Sequence, residues 1–410
     1  MTSRGCVLLC AAWLVGSLAC AAETPKLPTP SGPYGIGRVA YDWIDTSRMD
    51  RLSPDPHHPR ELMVYLWYPT THPSSDAHGV YLPGAKQMDV DPKIQQSMRD
   101  GYGDNWPLIV SGAIYSHAVE SAPPAKAPEQ FPVIIFSHGL GGSSFGYTSL
   151  IENLVSHGYA VAAIEHTETA GVVVFSDGRV VRQYQDSPPV GLSPAERFQR
   201  MVAQAGAGIE EGAGDVRFVL NQLTRLNAGD RQHFLLANRL DLNRVAAMGH
   251  SAGAEFAARA CELDARFKAC VDLDGAMVPV LALPESGDGA VIQQPLLFLE
   301  AFHPESQMGG THEEHLAFFK KKEEQLAACP RGSYAVVLNP PGMMHGSFSD
   351  TYLLEAGGRP AETAVALHNL DLAQSFILAF LDKNLKHTIA PLLDDANTDH
   401  PEATVQRLGH

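Results

Sequence analysis

The stretch from Val245 to Ala258, VAAMGHSAGAEFAA, is the feature that most restricts how this chain can fold. An apolar run predicts a buried strand, an alanine-rich run predicts a helix, and Gly249-His250-Ser251-Ala252-Gly253 lies between them. A serine at such a junction stands on a sharp, strained turn that exposes its hydroxyl at a sheet edge, where a helix N-terminus points free N–H groups. The pattern predicts that Ser251 is a nucleophile. A serine that only caps the helix is the alternative, and it leaves the two glycines unexplained.

Apolar segments alternate with amphipathic ones along the rest of the chain. Continuous apolar runs are typical of strands buried on both faces of a parallel sheet. The predicted strands are 61–69, 131–139, 159–166, 244–251, 267–274, 294–302 and 333–341, and the main predicted helices are 147–158, 214–227, 313–329 and 366–386. This alternation predicts an α/β fold with a mostly parallel central sheet covered by helices on both faces.

The N-terminus reads as an export signal. A basic residue, an apolar core and small residues predict a signal peptide over residues 1–22, and therefore a secreted or periplasmic protein. Lipid attachment at Cys20 is the less favoured alternative, because Ser17 stands where a large aliphatic residue is usual.

Composition suggests one domain with additions. The predicted parts are a Pro-rich, extended and weakly ordered leader over 23–34, a domain over 35–386, insertions at about 70–130 and 167–213, and a polar C-terminal tail over 387–410. The formal net charge of -16 argues against nucleic acid as a partner, because a protein binds phosphates through basic side chains.

Three cysteines follow the signal peptide, and an odd number allows at most one internal disulfide. Cys261 and Cys270 lie nine residues apart, on a predicted helix and the next strand, so a bridge between them is one alternative. The other is that these two and Cys329 are small buried apolar residues.

A serine nucleophile needs a histidine base, which in this kind of fold follows the last strand. His345 stands in such a loop, after the strand 333–341 and before the final long helix. His368 lies within the helix pattern, and His303 follows an earlier strand. His345 is therefore the predicted base.

The acid that orients the base should also follow a strand. Asp274 ends the strand after the nucleophile helix and precedes Gly275, while Asp272 lies two residues deeper. Many hydrolases carry the acid one strand later, which would nominate Glu300 or Glu305. Pattern alone favours Asp274 and leaves these alternatives open.

An oxyanion hole requires two backbone N–H donors near the nucleophile. Ala252 should supply one of them. The glycine-rich segment 137–144, SHGLGGSS, follows an early strand and offers Leu140 or Gly141 for the other. A phosphate loop is excluded here, because no Gly-Lys-Ser/Thr follows.

Several segments resemble, in the same order, those of the plasma and intracellular type II platelet-activating factor acetylhydrolases and their bacterial and fungal relatives. The most specific is residues 131–168, FPVIIFSHGLGGSSFGYTSLIENLVSHGYAVAAIEHTE. RVAAMGHSAGA, RFKACVDLDGAMVPV and the His345 loop also match, and the likeness covers roughly residues 31–385.

The resemblance implies an α/β-hydrolase fold, a Ser-Asp-His triad and no metal or cofactor. It implies that Ser251, Asp274 and His345 form the triad, with Asp274 rather than Glu300 as the acid. It further implies that the Leu140 and Ala252 backbones form the oxyanion hole. The chain departs from the family at Ala252-Gly253-Ala254 and after Asp274, where no aromatic follows, and both changes are expected on the acyl side of the pocket.

These expectations converge on a serine ester hydrolase whose partner is a small-molecule or lipid ester, with transient contact at lipid surfaces. Short or oxidised sn-2 acyl groups of phospholipids are one expected substrate class. A general carboxylesterase or polyester hydrolase is the alternative, and a catalytically silent binding protein is a third interpretation.

Overall fold

The computed structural model describes residues 24–409 apart from 52, 54, 56, 72–78, 168, 184–190, 192–193, 230–233, 276–291, 305–311 and 396–399. The strands are β1 (Gly35–Met49), β2 (Pro59–Thr70), β3 (Gly79–Val80), β4 (Tyr115–Ser116), β5 (Ala118–Glu120), β6 (Phe131–Ser137), β7 (Ala160–Glu165), β8 (Val172–Val174), β9 (Val180–Arg182), β10 (Leu240–His250), β11 (Phe267–Leu273), β12 (Leu296–Ala301), β13 (Tyr334–Leu338) and β14 (Ala403–Arg407). The helices are α1 (Ala85–Met88), α2 (Pro92–Tyr102), α3 (Trp106–Ser111), α4 (Thr148–Ser156), α5 (Pro194–Asn227), α6 (Ala252–Leu263), α7 (His312–Ala328), α8 (Thr351–Glu355), α9 (Pro360–Leu385) and α10 (Pro391–Asp394).

The main sheet has ten strands in the order β14-β13-β12-β11-β10-β6-β7-β2-β1-β5. The six from β13 to β7 run parallel to one another, and β2 and β14 flank them in antiparallel orientation. This confirms the predicted fold class, a mostly parallel sheet of the α/β-hydrolase type. Parallel strands end at one edge, so the loops after β6, β10, β11 and β13 meet there.

Side chains of β6 show how the sheet is covered on both faces. Ile134 and Phe136 join one apolar cluster with residues of α4 and α9, and Val133 and Ile135 join a second with residues of α5 and α6. Successive side chains of a strand point to opposite faces, so an unbroken apolar run is what a strand between two helical layers requires.

Segments outside the central pattern extend the sheet. β1 is fifteen residues long and was not predicted, because Arg, Asp and Ser interrupt its apolar residues. β5, from the expected insertion at 70–130, pairs with β1, and β14, from the expected polar tail, pairs with β13. Both add edge strands, whose outer side is open to solvent and tolerates polar sequence.

The Pro-rich leader is tied to the domain at its end. The backbone and hydroxyl of Ser31 donate to Asn153 Oδ1, and the Gly32 N–H donates to the Ser156 hydroxyl, both on α4. Leu27 is buried. The described part of the leader therefore packs on the domain, although the sequence predicts it to be weakly ordered.

Helix α9 is long and apolar enough to cross a membrane by length and composition, and it is the one helix of the described residues that meets this test. Half of that apolar stretch is buried within the protein. Phe376, Phe380 and Leu381 belong to the apolar cluster on the sheet. A helix that packs on a sheet in this way has the composition of a core helix.

A disulfide joins Cys261 of α6 to Cys270 of β11, and Cys329 is a buried free thiol. Of the two alternatives that the sequence left open, the structure has the bridge. It connects the helix that follows Ser251 to the strand that ends before Asp274.

We expect replacement of both bridged cysteines, Cys261→Ala/Cys270→Ala, to lower the free energy of unfolding by about 2–3 kcal/mol, because the bridge restricts the unfolded chain. Urea unfolding with and without a reductant measures this. The wild type should lose stability on reduction, whereas the double variant should not respond. Cys329→Ala is the control and should keep the response of the wild type. An unfolding midpoint of the wild type that is unchanged by reductant would contradict the bridge.

Candidate active site

Ser251 lies at the end of β10 with a left-handed backbone, φ 55° and ψ -124°. A side chain is strained in this conformation, and such strain is typical of a nucleophile turn. A Cβ on Gly249 would overlap the Gly253 carbonyl, and a Cβ on Gly253 would overlap the carbonyls of Ser137 and His138. The two glycines are therefore required by packing, which a simple capping serine would not explain.

Backbone hydrogen bonds fix this turn. The Ser251 N–H donates to the Leu273 carbonyl at 2.9 Å, and the Ala254 N–H donates to the Ser251 carbonyl at 3.0 Å. The first bond ties the turn to the end of β11, one residue before Asp274.

His345 and Asp274 meet at the same edge of the sheet. The His345 Nδ1–H donates to Asp274 Oδ2 at 2.6 Å. Asp274 is buried, whereas half of the His345 side chain is exposed. Burial by itself would raise the pKa of Asp274, but the hydrogen bond from His345 and the nearby charges of His303 and His345 outweigh it and lower that pKa. Asp274 is therefore a carboxylate at neutral pH.

The other acids that the sequence left open are engaged elsewhere. Asp272 Oδ1 accepts the Gly275 N–H at 2.8 Å, and burial raises the pKa of Asp272 to about 8, so this group is neutral at pH 7. The Glu300 carboxylate pairs with Lys322. Glu305 lies outside the described residues.

The two competing histidines occupy different places. His368 is exposed on α9 and contacts Glu402 at 3.1 Å. The His303 Nε2 lies 3.0 Å from each oxygen of Asp274. The structure thus brings two imidazoles to one carboxylate, which the sequence did not predict.

The oxyanion candidates lie on the loop after β6. A Cβ on Gly139 would lie 3.3 Å from the Ser251 Cβ, so this loop borders the nucleophile. The Gly141 N–H donates to the Thr169 carbonyl at 3.0 Å and is already used. Within the described part of the chain the Leu140 N–H has no acceptor, which favours Leu140 over Gly141. Ala252 is the first residue of α6, so its N–H has no acceptor within the helix.

Tyr147 and His250 connect these loops, and sequence reasoning missed both. The Tyr147 hydroxyl accepts the Gly139 N–H at 3.3 Å and donates to His250 Nδ1 at 2.7 Å. The His250 Nε2–H donates to the His345 carbonyl at 2.9 Å. One chain of hydrogen bonds therefore joins the loop after β6, the nucleophile turn and the base loop. Burial, followed by the charge of His345, lowers the pKa of His250 to about 4, which keeps its ring neutral.

His250, Asp274 and His345 place possible metal-ligand atoms within 4.8 Å of one another. Both nitrogens of His250 already take part in hydrogen bonds, and so does the Nδ1 of His345. The hydrogen-bond network accounts for this proximity without a metal ion.

The resemblance led us to expect Ala254 on the acyl side of the pocket, but the structure places it elsewhere. It is buried, and a Cβ on Gly275 would lie 2.7 Å from its Cβ. The size of Ala254 therefore allows the close approach of Gly275 and does not shape an open acyl pocket. Ala252 is partly buried and packs against Ile209 and Phe256.

A family model, platelet-activating factor acetylhydrolase, isoform II, matches residues 19–388. The chain belongs to this family. Its relatives include the platelet-activating factor acetylhydrolase of Cavia porcellus. That enzyme is 29% identical over an alignment that covers 64% of this chain and 59% of the relative. The enzyme of the same name from Gallus gallus is 27% identical over 43% of this chain and 45% of its own length. The match thus spans less than two thirds of these relatives.

Among solved structures, a ferulic acid esterase from Streptomyces cinnamoneus has a TM-score of 0.69 and 27% identity. The similarity covers 94% of this chain and all of the esterase. The fold of this esterase therefore extends over nearly the whole chain.

If the site hydrolyses esters, as we propose below, we expect Tyr147→Phe to lower kcat about tenfold with little change in KM. The change leaves the Gly139 N–H and His250 Nδ1 without a partner, which disturbs both loops at a cost of about 1–3 kcal/mol. Initial-rate kinetics with a para-nitrophenyl ester measures this. Tyr68→Phe is the matched control, because its hydroxyl bonds the Ala122 carbonyl away from the site. Equal rates for the two variants would refute a role for Tyr147 in the site.

Proposed function

We propose that this chain is a serine carboxylic ester hydrolase with Ser251 as nucleophile, His345 as base and Asp274 as the acid that orients it. The observation that carries the proposal is the 2.6 Å hydrogen bond from His345 to the buried Asp274, beside a serine on a strained turn. Family membership and the esterase neighbour support the same reaction class.

In this mechanism His345 Nε2 takes the Ser251 proton as Oγ attacks the ester carbonyl carbon. The N–H groups of Leu140 and Ala252 stabilise the negative charge that develops on the carbonyl oxygen. His345 then returns the proton to the leaving alcohol, and an acyl-enzyme remains on Ser251. Water, deprotonated by His345, releases the acid and restores the serine. Within the described residues no hydrogen bond joins Ser251 to His345, and in unliganded enzymes this contact often forms only with substrate.

A comparison of the variants Asp274→Asn and Asp272→Asn tests which residue is the acid. We expect the first to lower kcat about 10⁴-fold, because an amide holds the imidazole in the wrong tautomer. The second should leave kcat within about twofold near pH 7, because Asp272 is already uncharged there and the amide has nearly the same shape. The rates with a para-nitrophenyl ester decide this. A larger loss for Asp272→Asn would move the acid to that residue.

Ser251→Ala, together with labelling by a fluorophosphonate, tests the nucleophile. We expect this variant to be inactive and unlabelled, whereas Asp272→Asn should still be labelled. A wild type that neither labels nor hydrolyses any ester would favour the binding-protein interpretation.

A cavity of about 270 Å³ beside the oxyanion loop is a candidate site for one substituent of the ester. Leu82, Met88 and Met98 give it apolar walls, and Gly141 and Gly142 form its side toward the loop. Arg182 also lines it, near enough to Asp91 for the two charges to interact. An apolar wall beside a cation suits the sn-2 acetyl phospholipid that the relatives' names indicate. The second candidate is a neutral or aromatic ester, which the ferulic acid esterase supports.

We expect Arg182→Gln to lower kcat/KM for an sn-2 acetyl phospholipid by up to about fivefold, because an exposed cation–phosphate contact contributes at most about 1 kcal/mol. The same variant should leave para-nitrophenyl acetate and methyl ferulate unchanged. Arg331→Gln, an exposed arginine before β13, is the control. A phospholipid rate that Arg182→Gln leaves unchanged, or that is absent in the wild type, would favour the neutral-ester alternative.

We also propose that the chain is exported, with residues 1–22 as its signal peptide. The Cys261–Cys270 bridge supports this, because structural disulfides persist in oxidising compartments.

A further inference from the structure

We propose that His303 is a positioning residue that holds the Asp274 carboxylate in place for His345. The inference rests on the proposed function of the Ser251 site. It adds a second imidazole to the acid and makes Asp274 a carboxylate shared by two histidines.

The geometry of Asp274 carries this assignment. Its Oδ1 accepts the Ala301 N–H at 3.0 Å, and its Oδ2 accepts the His345 Nδ1–H at 2.6 Å. The His303 Nε2 is equidistant from the two oxygens, 3.0 Å from each. One N–H on the axis between two oxygens opposes rotation of the carboxylate, and such rotation would take Oδ2 away from His345.

The backbone explains why such support is needed. Asp274 has a left-handed backbone, φ 52°, directly after β11. Its N–H donates to the Leu299 carbonyl of β12, and the supporting donors Ala301 and His303 come from the end of β12 and the residues after it. The neighbouring strand therefore fixes both the main chain and the carboxylate of Asp274.

His303 is not placed to replace His345 as the base. The Nε2 of His303 is bonded to the carboxylate, and its other ring nitrogen, Nδ1, lies next to its own main chain. In His345 the Nδ1 bonds the carboxylate instead, and Nε2, the outer nitrogen, remains available to accept the serine proton. Its carbonyl is also bonded to His250, the residue before Ser251, and no such bond ties His303 to the nucleophile turn within the described residues.

The His303 side chain is partly exposed, and several charged or titratable groups lie around it. The charged or titratable groups around it in the described structure are Asp274 after β11, Glu300 on β12, Lys322 on α7 and His345 after β13. Glu300 pairs with Lys322, and the hydrogen bond of His303 goes to Asp274. His303 therefore acts on the same carboxylate that bonds His345.

Removal of His303 should therefore have two effects. His303→Ala should lower kcat about tenfold without a matching change in KM, because Oδ2 is no longer held toward His345. It should also move the midpoint of the acid limb of the kcat profile downward by about half a pH unit, because a carboxylate that is no longer held toward His345 stabilises the protonated imidazole less. His303→Gln keeps an N–H donor and should restore most of the rate.

The test measures kcat and KM for a para-nitrophenyl ester between pH 5 and 9 for the wild type, His303→Ala, His303→Gln and His368→Gln. His368 is an exposed histidine on α9 that pairs with the Glu402 carboxylate. Its variant should match the wild type. The chemical shift of the His345 Nδ1 proton, read by NMR, gives a measurement that needs no turnover. We expect this proton to move upfield in His303→Ala, because its hydrogen bond to Asp274 weakens when the carboxylate is no longer held.

An unchanged acid limb together with an unchanged His345 proton in His303→Ala would overturn the inference. A rate loss that His303→Gln does not relieve, with the proton unmoved, would show a structural role only and would also overturn it. A wild type without esterase activity or Ser251 labelling would reject the proposed function instead. The NMR comparison would still decide whether His303 holds Asp274.

Discussion

The close contact between the nucleophile turn and the end of β6 is the constraint on which the rest of the site depends. Gly253 lies against the carbonyls of Ser137 and His138, with no room for a side chain. Because the chain passes there at van der Waals distance, the next residues of the β6 loop must lie beside Ser251. Backbone packing alone therefore brings the loop that carries Leu140 to Ser251, as the proposed oxyanion hole requires.

A second group of Ser, His and Asp lies beneath this contact and has a different role. His166 bonds the Ser137 hydroxyl at 2.9 Å and Asp215 at 2.9 Å, and Asp215 also pairs with Arg60 at 2.7 Å. These groups are almost fully buried, so no substrate reaches them. Burial lowers the pKa of His166 to about 4, and the ring is neutral. The cluster ties β2, β6, the end of β7 and α5 together under the loop that follows β6. The same residue types thus serve stability in one place and, as we propose, catalysis in another.

The sequence predicted the parts of the molecule that local pattern controls. The turn at Ser251 and the six parallel strands follow from apolar periodicity and from glycines whose spacing has a steric cause. The contacts of Tyr147 with His250 join residues about a hundred positions apart, and no local pattern encodes such a meeting. His303 was considered only as a competing base, because the sequence does not show which nitrogen faces a carboxylate. β14 was missed because an edge strand can carry polar residues that hide its periodicity, and β1 was missed because Arg, Asp and Ser interrupt its apolar residues.

The buried thiol of Cys329 bears on how long the correct cysteine pairing survives. Exchange of a disulfide begins with attack by a thiolate, and burial raises the pKa of Cys329 to about 11. At neutral pH only roughly one molecule in ten thousand would carry that thiolate. In the folded protein the Cys329 thiol therefore does not attack the bridge between α6 and β11. Scrambling of the cysteines would require the chain to unfold first, so the lifetime of the native pairing is set by the unfolding rate and not by the chemistry of sulfur.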